Sequence, residues 1–293
     1  MKRLLILLLL CPVILLAQKQ GQQAIDSILK KMPAAKEDTN KVKLLNALSY
    51  SYSFTNPDDG IKCGQQALGL AEKLNWQSGI GGGNNNIGIN YYYKSDYASA
   101  MAYYSKAISV YKAIDDQKMM AEVLNNMSKV YTDKSDFAKA MDCSSKALKI
   151  TEETGDKVAN KNSLTIIGNI YYIQSDYPKA LEYYFRSLKI SEEISDKRGI
   201  ATNLIGIGNV YNSQKDYLKA LEYYTKDLKI AEETGNKEAI AAVNTNIGCL
   251  YTAQNDPVKA LGYFFTALKI EDAIGKKTTL QLYPRISVVV IPV

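Results

Sequence analysis

The stretch IGNIYYIQSDYPKALEYYFRSLKISEEISDK (residues 167–197) returns as IGNVYNSQKDYLKALEYYTKDLKIAEETGNK (residues 207–237), forty positions later and without an insertion. A residue pair that begins with Asp or Asn recurs at the same interval along the chain. These pairs are Asn56-Pro57, Asp96-Tyr97, Asp136-Phe137, Asp176-Tyr177, Asp216-Tyr217 and Asp256-Pro257. A fixed period of this length predicts stacked structural repeats.

Each forty-residue row predicts two helices. In the fourth row, small and apolar residues have the spacing of one helix face, and a second such set follows the break at Ser175-Asp176. The two sets are Leu164, Ile167, Gly168 and Tyr171, and then Ala180, Tyr184 and Leu188. Because aspartate is a good N-cap, we expect helices at roughly 157–174 and 177–194. Left-handed residues should end the second helices; they are Gly155, Gly235 and Gly275, with Asn75, Asp115 and Ser195 in that place elsewhere.

This pattern resembles the tetratricopeptide repeat (TPR) in its forty-residue form. The signature of that family has a large residue, Leu or Ile, Gly or Ala, and Tyr on the first helix, and Ala, an aromatic residue and Ala on the second. The second row matches with Asn84, Ile87, Gly88, Tyr91, Ala100, Tyr104 and Ala107, the sixth with Asn244, Ile247, Gly248, Tyr251, Ala260, Phe264 and Ala267, and the fourth departs only at Ser187. The resemblance covers residues 38–275, about six repeats with a degenerate first one. It implies an all-α solenoid, a right-handed superhelix of helix-turn-helix repeats.

The N-terminus has the layout of a secretory signal peptide. Residues 1–17, MKRLLILLLLCPVILLA, place two basic residues before an apolar run. We expect cleavage near Ala17, a periplasmic or cell-envelope location, and a lead-in at residues 18–37. Lipidation at Cys11 is disfavoured because the bulky Leu10 precedes it. An uncleaved anchor is also disfavoured, because residues 4–17 fall short of the roughly 20 that span a membrane.

Charge and cysteine content exclude several other classes. Without Lys2 and Arg3 the formal charge falls from +6 to +4, and the remaining charges are scattered, so no nucleic-acid partner is indicated. The mature chain would keep Cys63, Cys143 and Cys249, with no CxxC spacing. We expect three free thiols that behave as buried small hydrophobic residues, and neither a disulfide nor a metal site.

The glycines at 79–83 invite comparison with a phosphate-binding loop. No Gly-Lys-Ser/Thr follows them, and in the forty-residue alignment they match positions 199–203 of a first helix. We therefore expect a helix here, weakened because each interior glycine costs on the order of 1 kcal/mol relative to alanine.

No catalytic constellation is apparent. The chain has no histidine, which removes histidine-activated nucleophiles and the HExxH metal motif. Paired acids such as Glu192-Glu193 recur with the period beside lysines, as on a solvated face, and one member of each tyrosine doublet, such as Tyr183-Tyr184, occupies the aromatic signature position. We expect no enzymatic activity, no cofactor and no metal ion.

Asparagines recur on the first helices, where their helix propensity is poor. In the TPR family the first helices line the inner wall of the superhelix, where asparagine can hold the backbone of an extended peptide through its donor and its acceptor. Carried over by position, this peptide-binding groove contains Asn85, Asn125, Lys129, Asn169 and Asn209, with Tyr92, Tyr172 and Asn212 as sources of specificity. The alternative is that these amides only solvate a concave face, and the sequence leaves both interpretations open.

The tail at residues 276–293, KKTTLQLYPRISVVVIPV, stops matching the period. Its prolines and β-branched run do not suit the expected first helix, so the last repeat has no polar capping helix. There are three explanations: a C-terminal strand specific to this chain, an artificial end of the chain, and a truncated or frameshifted seventh repeat. We favour the last. A homodimer through the uncapped repeat would follow from the same observation.

The sequence thus predicts an exported, non-catalytic scaffold that binds a protein or an extended peptide, with no nucleic-acid partner and no membrane insertion after signal cleavage. Repeat arrays behind a signal sequence also resemble the input region of bacterial sensor kinases and transcriptional regulators. The alternative function is therefore the sensory part of a signalling protein whose output domain is missing.

Overall fold

The structure is a computed structural model that describes residue 22 and residues 24–274. These residues are mostly helical and include no strand. The expected signal peptide at 1–17, Gly275 and the tail at 276–293 lie outside the described residues. Within residues 24–274, no helix is both long enough and apolar enough to cross a membrane.

Each row forms two helices, as the sequence predicts. A lead-in helix (α1) occupies residues 24–31, and a 3-10 turn follows at Met32–Ala34. The pairs are α2 (Thr39–Tyr52) with α3 (Pro57–Lys73), α4 (Gln77–Tyr93) with α5 (Tyr97–Ala113), α6 (Gln117–Asp133) with α7 (Phe137–Thr154), α8 (Lys157–Ile173) with α9 (Tyr177–Glu193), α10 (Lys197–Ser213) with α11 (Tyr217–Glu233), and α12 (Lys237–Ala253) with α13 (Pro257–Ala273). The even-numbered members are the first helices and the odd-numbered members are the second helices. This arrangement confirms the predicted all-α repeat fold.

The chain divides into two compact units. Among the described residues, the N-unit is the part up to Ile170 and the C-unit is the part from Tyr171, so the boundary falls inside α8. In the N-unit each helix from α2 to α7 packs on the next one, and α2 also contacts α4. In the C-unit the helices from α9 to α13 pack consecutively in the same way.

Aspartate caps the second helices, as predicted. The carboxylate of Asp96 accepts a hydrogen bond from the backbone N–H of Ser99 over 3.1 Å, and Asp216 accepts one from Lys219 over 3.2 Å. Helices α3 and α13 begin directly at proline, where the missing N–H would have had no helical partner.

A left-handed residue ends each helix from α3 to α12, at intervals of twenty positions. The predicted ones after second helices, within the described residues, are confirmed: Asn75, Asp115, Gly155, Ser195 and Gly235. Sequence analysis missed the equivalent residues after first helices, which are Ser95, Ser135, Ser175, Lys215 and Asn255. At the first of these turns the N–H of Ser95 bonds to the carbonyl of Tyr92 and the N–H of Asp96 to that of Tyr91, which is the Schellman arrangement.

In the pairs α4–α5, α10–α11 and α12–α13 a glycine of the first helix packs against an aromatic ring of the second. A Cβ atom added to Gly88 would lie 2.6 Å from the ring of Tyr104, and one added to Gly208 would lie 2.5 Å from that of Tyr224. Both tyrosines are about 1% exposed. One member of each tyrosine doublet therefore serves packing, as predicted.

The glycine-rich segment is helical, and its glycines admit bulky neighbours. A Cβ at Gly81 would lie 2.6 Å from the ring of Tyr111, and one at Gly79 would lie 2.4 Å from the ring of Trp76. Gly83 packs against the backbone of Leu68, whose Cα would lie 3.3 Å from an added Cβ. Close helix packing thus accounts for these glycines, and no phosphate-binding loop is present in α4.

We expect the amides of residues 79–83 to exchange with solvent faster than those of residues 199–203. Several glycines in one turn lower the local stability of the helix even when packing requires them. Hydrogen exchange measured on the native protein would test this comparison. Equal protection of the two segments would show that packing fully offsets the weak helix propensity.

The three cysteines among the described residues are free, as predicted, but they are not all buried. Cys143 is buried and Cys63 is half-buried, whereas Cys249 is exposed on α12. The expectation of buried thiols was therefore wrong for Cys249, which is exposed one residue after Gly248 on the first helix α12.

Candidate functional site

The candidate site in the N-unit is a polar surface on its first helices. We define the N-unit face as Asn85 of α4, Glu122, Asn125, Lys129 and Asp133 of α6, and Asn169 of α8. Four of these six residues belong to the groove predicted from sequence; Glu122 and Asp133 do not.

Two of the predicted groove residues bridge neighbouring first helices. Asn85 is 2% exposed; its amide donates to the Glu122 carboxylate over 3.0 Å and accepts from Asn126 over 3.2 Å. Asn125 is 5% exposed and donates to the Ser163 hydroxyl over 2.9 Å. Both residues therefore hold neighbouring first helices at a fixed separation.

Lys129 has two acidic neighbours on α6. The side chains of Glu122, Lys129 and Asp133 are exposed. Desolvation lowers the pKa of the Lys129 ammonium group and raises the pKa of both carboxyl groups. The Lys129 ammonium donates to the Asn126 carbonyl over 3.3 Å, and Asn169 on α8 is exposed.

The C-unit face consists of Tyr172, Asn209, Asn212 and Ser213. The hydroxyl groups of Tyr172 and Ser213 lie 3.2 Å apart, and burial raises the pKa of the tyrosine. Asn209 is half-buried, and its carbonyl oxygen accepts a hydrogen bond from the Tyr224 hydroxyl over 2.6 Å. The amide oxygen of Asn212 is buried and has no hydrogen-bond partner within the described residues.

The C-unit also has a thiol on a first helix. Cys249 occupies the same position on α12 as Lys129 on α6, and desolvation raises the pKa of its thiol to about 11. A thiol with this pKa stays protonated at neutral pH, so it is a weak nucleophile. Cys249 therefore adds no catalytic group to the C-unit face.

Sequence analysis missed Glu122 and Asp133, although a signal for them exists. In the forty-residue alignment Glu122 corresponds to Gly82, Asn162, Thr202 and Ala242, and Asp133 corresponds to Tyr93, Ile173, Ser213 and Ala253. Each acid is thus the one charged residue at its position from the second row to the sixth. A residue that breaks the repeat in this way is not required by the repeat architecture, so it is a candidate for function.

The chemistry available on both faces is hydrogen bonding and charge. Carboxamides and hydroxyls can donate and accept hydrogen bonds along a chain of peptide groups. Among residues 24–274, no three His, Cys, Asp or Glu side chains are grouped so that they could hold a metal ion. The paired glutamates, such as Glu192-Glu193, are exposed at the ends of second helices, as expected for a solvated face.

Comparison with known proteins identifies the family. The sequence model described as "Tetratricopeptide repeat" matches residues 119–193 and 199–271, which together make up half of the chain. The chain therefore belongs to the tetratricopeptide repeat family. No curated protein matches its sequence.

Solved structures with the same fold include two Rap proteins. A Rap protein complexed with Competence and Sporulation Factor has a TM-score of 0.64 and 13% identity, over 86% of this chain and 80% of that chain. The apo form of RapI has a TM-score of 0.57 and 20% identity, over 89% and 77%. A third is a signal transduction ATPase with a tetratricopeptide repeat sensor from Pyrococcus horikoshii, with a TM-score of 0.59 and 19% identity, over 92% of this chain but 40% of that chain. At these identities the similarity shows the fold alone.

Proposed function

We propose that the protein is an exported, non-catalytic scaffold that holds an extended peptide or protein segment on the faces of its first helices. The observation that carries this proposal is the polar, amide-bearing surface on the first helices of each unit. Lys129 and Asn169 are exposed on the N-unit face, and Tyr172, Asn209 and Asn212 are half-buried on the C-unit face. The complex of a Rap protein with Competence and Sporulation Factor supports the proposal at the level of the fold.

Backbone recognition explains why amides suit this surface. An extended peptide offers alternating N–H and C=O groups, and a carboxamide can pair with both kinds whatever side chains the peptide carries. The buried Asn85 and Asn125 would then hold the first helices at a fixed separation. Specificity would come from the groups beside the amides, which include Lys129 and Tyr172.

A double substitution tests the proposal. We expect Asn169→Ala with Asn209→Ala to weaken the binding of extended peptides roughly tenfold, because each amide hydrogen bond contributes about 0.5–1.5 kcal/mol. Peptides would be selected from a randomised nonapeptide library on the wild-type protein, and their affinities measured by fluorescence anisotropy.

The matched control is Gln65→Ala with Gln66→Ala. These two carboxamides are exposed on the second helix α3, so their removal should leave affinity unchanged. If the first-helix variant also kept wild-type affinity, the amide faces would not be the binding surface. If no peptide were selected at all, a peptide-binding function would be wrong.

A second proposal is the sensory input region of a signalling protein. The similarity to a signal transduction ATPase that carries a tetratricopeptide repeat sensor favours it, since this chain spans 40% of that protein. Sequencing the gene beyond codon 293 tests it. A reading frame that resumes the forty-residue period and leads to a membrane span and an output domain would support it, and a stop without such a remnant would oppose it.

Export and self-association complete the proposal. N-terminal sequencing of the protein from the periplasm should give a chain that begins near Gln18; a chain beginning at Met1 would contradict signal cleavage. Light scattering would show whether two copies associate, and a monomer at all concentrations would exclude the proposed homodimer.

A further inference from the structure

We infer that Tyr92, Tyr97 and Asp133 form a subsite of the N-unit face that binds a cationic side chain, arginine or lysine, of the bound peptide. This inference rests on the proposed function and names one chemical feature of the partner. The three residues come from the end of α4, the start of α5 and the end of α6.

The subsite combines two aromatic rings with a carboxylate. The rings of Tyr92 and Tyr97 have centroids 6.0 Å apart and an interplanar angle of 43°. The Tyr97 hydroxyl donates to the Asp133 carboxylate over 3.4 Å. Because 3.4 Å is long for a bond between two oxygens, the exposed carboxylate can still accept stronger hydrogen bonds from a guanidinium or ammonium group.

The C-unit contains the same arrangement without the charge. Tyr172 and Tyr177 have ring centroids 6.2 Å apart at 45°, and the Tyr172 hydroxyl lies 3.2 Å from that of Ser213. Ser213 occupies the position of Asp133 in the forty-residue alignment. The tyrosine pair is therefore part of the repeat architecture, and a neutral hydroxyl is enough to complete it. The carboxylate of Asp133 is therefore an addition that the repeat architecture does not require.

The aromatic rings of the subsite also lack an internal cation. Elsewhere the chain places its own lysines over tyrosine rings: Lys179 lies 5.0 Å from the centroid of Tyr171, and Lys219 lies 5.0 Å from that of Tyr211. Within the described part of the chain, no lysine or arginine lies over the ring of Tyr92. The same holds for Tyr97. A ring attracts cations, and both tyrosines are half-buried, so the exposed part of each ring is available to a cation from a ligand.

Neighbouring lysines are already engaged with other partners. Lys94, next to Tyr93, forms an ion pair with Asp58. Lys129 donates to the side-chain oxygen of Asn126 and interacts electrostatically with the carboxylates of Glu122 and Asp133. Lys118, the other lysine of α6, forms an ion pair with Asp156, so the two acids Glu122 and Asp133 are accompanied by one lysine without an ion-pair partner elsewhere among the described residues. This net negative charge is complementary to a basic side chain.

The test uses two fluorescein-labelled nonapeptide pools with eight randomised positions and one fixed central residue. That residue is arginine in one pool and citrulline in the other; citrulline keeps the shape and removes the charge. We expect the full-length protein to bind the arginine pool about tenfold more tightly, a ratio typical of a charge-assisted contact with a ring face nearby.

Two reciprocal variants assign the preference to the subsite. Asp133→Ser gives the N-unit the residue that the C-unit already carries, so the fold should tolerate it, and the arginine preference should disappear. Ser213→Asp gives the C-unit a carboxylate beside its tyrosine pair and should increase the preference. Asp142→Asn, which removes an exposed acid of α7 that pairs with Lys146, is the control and should leave the preference unchanged.

The outcomes separate this inference from the proposed function. Equal binding of the two pools by the wild-type protein would overturn the cationic subsite and leave peptide binding intact. A preference that survives Asp133→Ser would also overturn it. If neither pool binds, both the subsite and the proposed function are wrong.

Discussion

Replacing Asp227 by alanine should stabilise the protein at pH 8 by about 3–4 kcal/mol. Asp227 lies on α11, is 1% exposed, and has a carboxylate oxygen with no hydrogen-bond partner in the described residues. Desolvation raises the pKa of its carboxyl group from 3.8 to about 7. Each pKa unit corresponds to about 1.4 kcal/mol of differential stability. Alanine should fit, because Ala107, Ala147 and Ala267 occupy the same place in other rows.

The sign of the pH dependence follows from the raised pKa. Well below pH 3.8 the carboxyl group is protonated in both the folded and the unfolded chain, so the folded protein carries no penalty. As the pH rises towards 7, the Asp227 carboxyl group ionises in the unfolded chain but stays protonated in the folded chain, so the free energy of unfolding falls. Above pH 7 the group is ionised in both states and the full penalty is present. The Asp227→Ala variant should lose this contribution to the pH dependence.

Guanidinium denaturation at pH 4 and pH 8 measures both effects. Asp142→Ala, which removes an exposed acid, should change the difference between the two midpoints very little. If Asp227→Ala and the wild-type protein showed the same midpoints at pH 8, the carboxyl group would have to be solvated or paired in solution.

Replacing Tyr224 by alanine should destabilise the protein by about 3–5 kcal/mol, the usual loss for a large aromatic side chain removed from a core. Tyr224 is 1% exposed and packs with Ala220, Val243, Ile247 and Leu250. Removal of the ring would leave a cavity beside Gly208, because the surrounding helices cannot move close enough to fill it. Thermal and chemical denaturation would measure the loss.

Tyr224→Phe separates the ring from the hydroxyl. It should cost about 1 kcal/mol, because only the hydrogen bond to Asn209 is lost, and Phe264 shows that phenylalanine suits this position. It would also release the carbonyl oxygen of Asn209 for a ligand, so peptide affinity should change more than stability. Tyr223→Ala, which removes a half-buried ring stacked on Tyr211, is the control and should cost much less than Tyr224→Ala. Equal losses would mean that the doublet has no distinct core member.

The regular part of the fold could be predicted from the sequence because its causes are local and repeated. The helices expected at 157–174 and 177–194 are found at Lys157–Ile173 and Tyr177–Glu193. Spacing along a helix decides which residues share a face, and aspartate or proline marks where a helix begins. The left-handed turns after first helices were missed because serine and lysine rarely adopt left-handed conformations, so these residue types do not indicate the end of a helix.

The depth of each candidate residue could not be predicted in the same way. Helical spacing places Asn85 and Asn125 on the wall but does not show that neighbouring helices cover them and bond to their amides. Asn209 is held by a hydroxyl from the next helix, a contact that depends on tertiary packing. The burial of Asp227 could not be predicted either, because an aspartate beside lysines in the sequence is typical of a surface residue.

The twenty-residue spacing of the left-handed turns has a consequence for how such a gene can change. Since one turn geometry serves after both kinds of helix, an in-frame duplication or loss of forty codons joins two ends that already match. Unequal recombination could therefore lengthen or shorten the protein without any new loop having to evolve. The repeats would remain free to diverge individually, as the lone acid Asp133 illustrates.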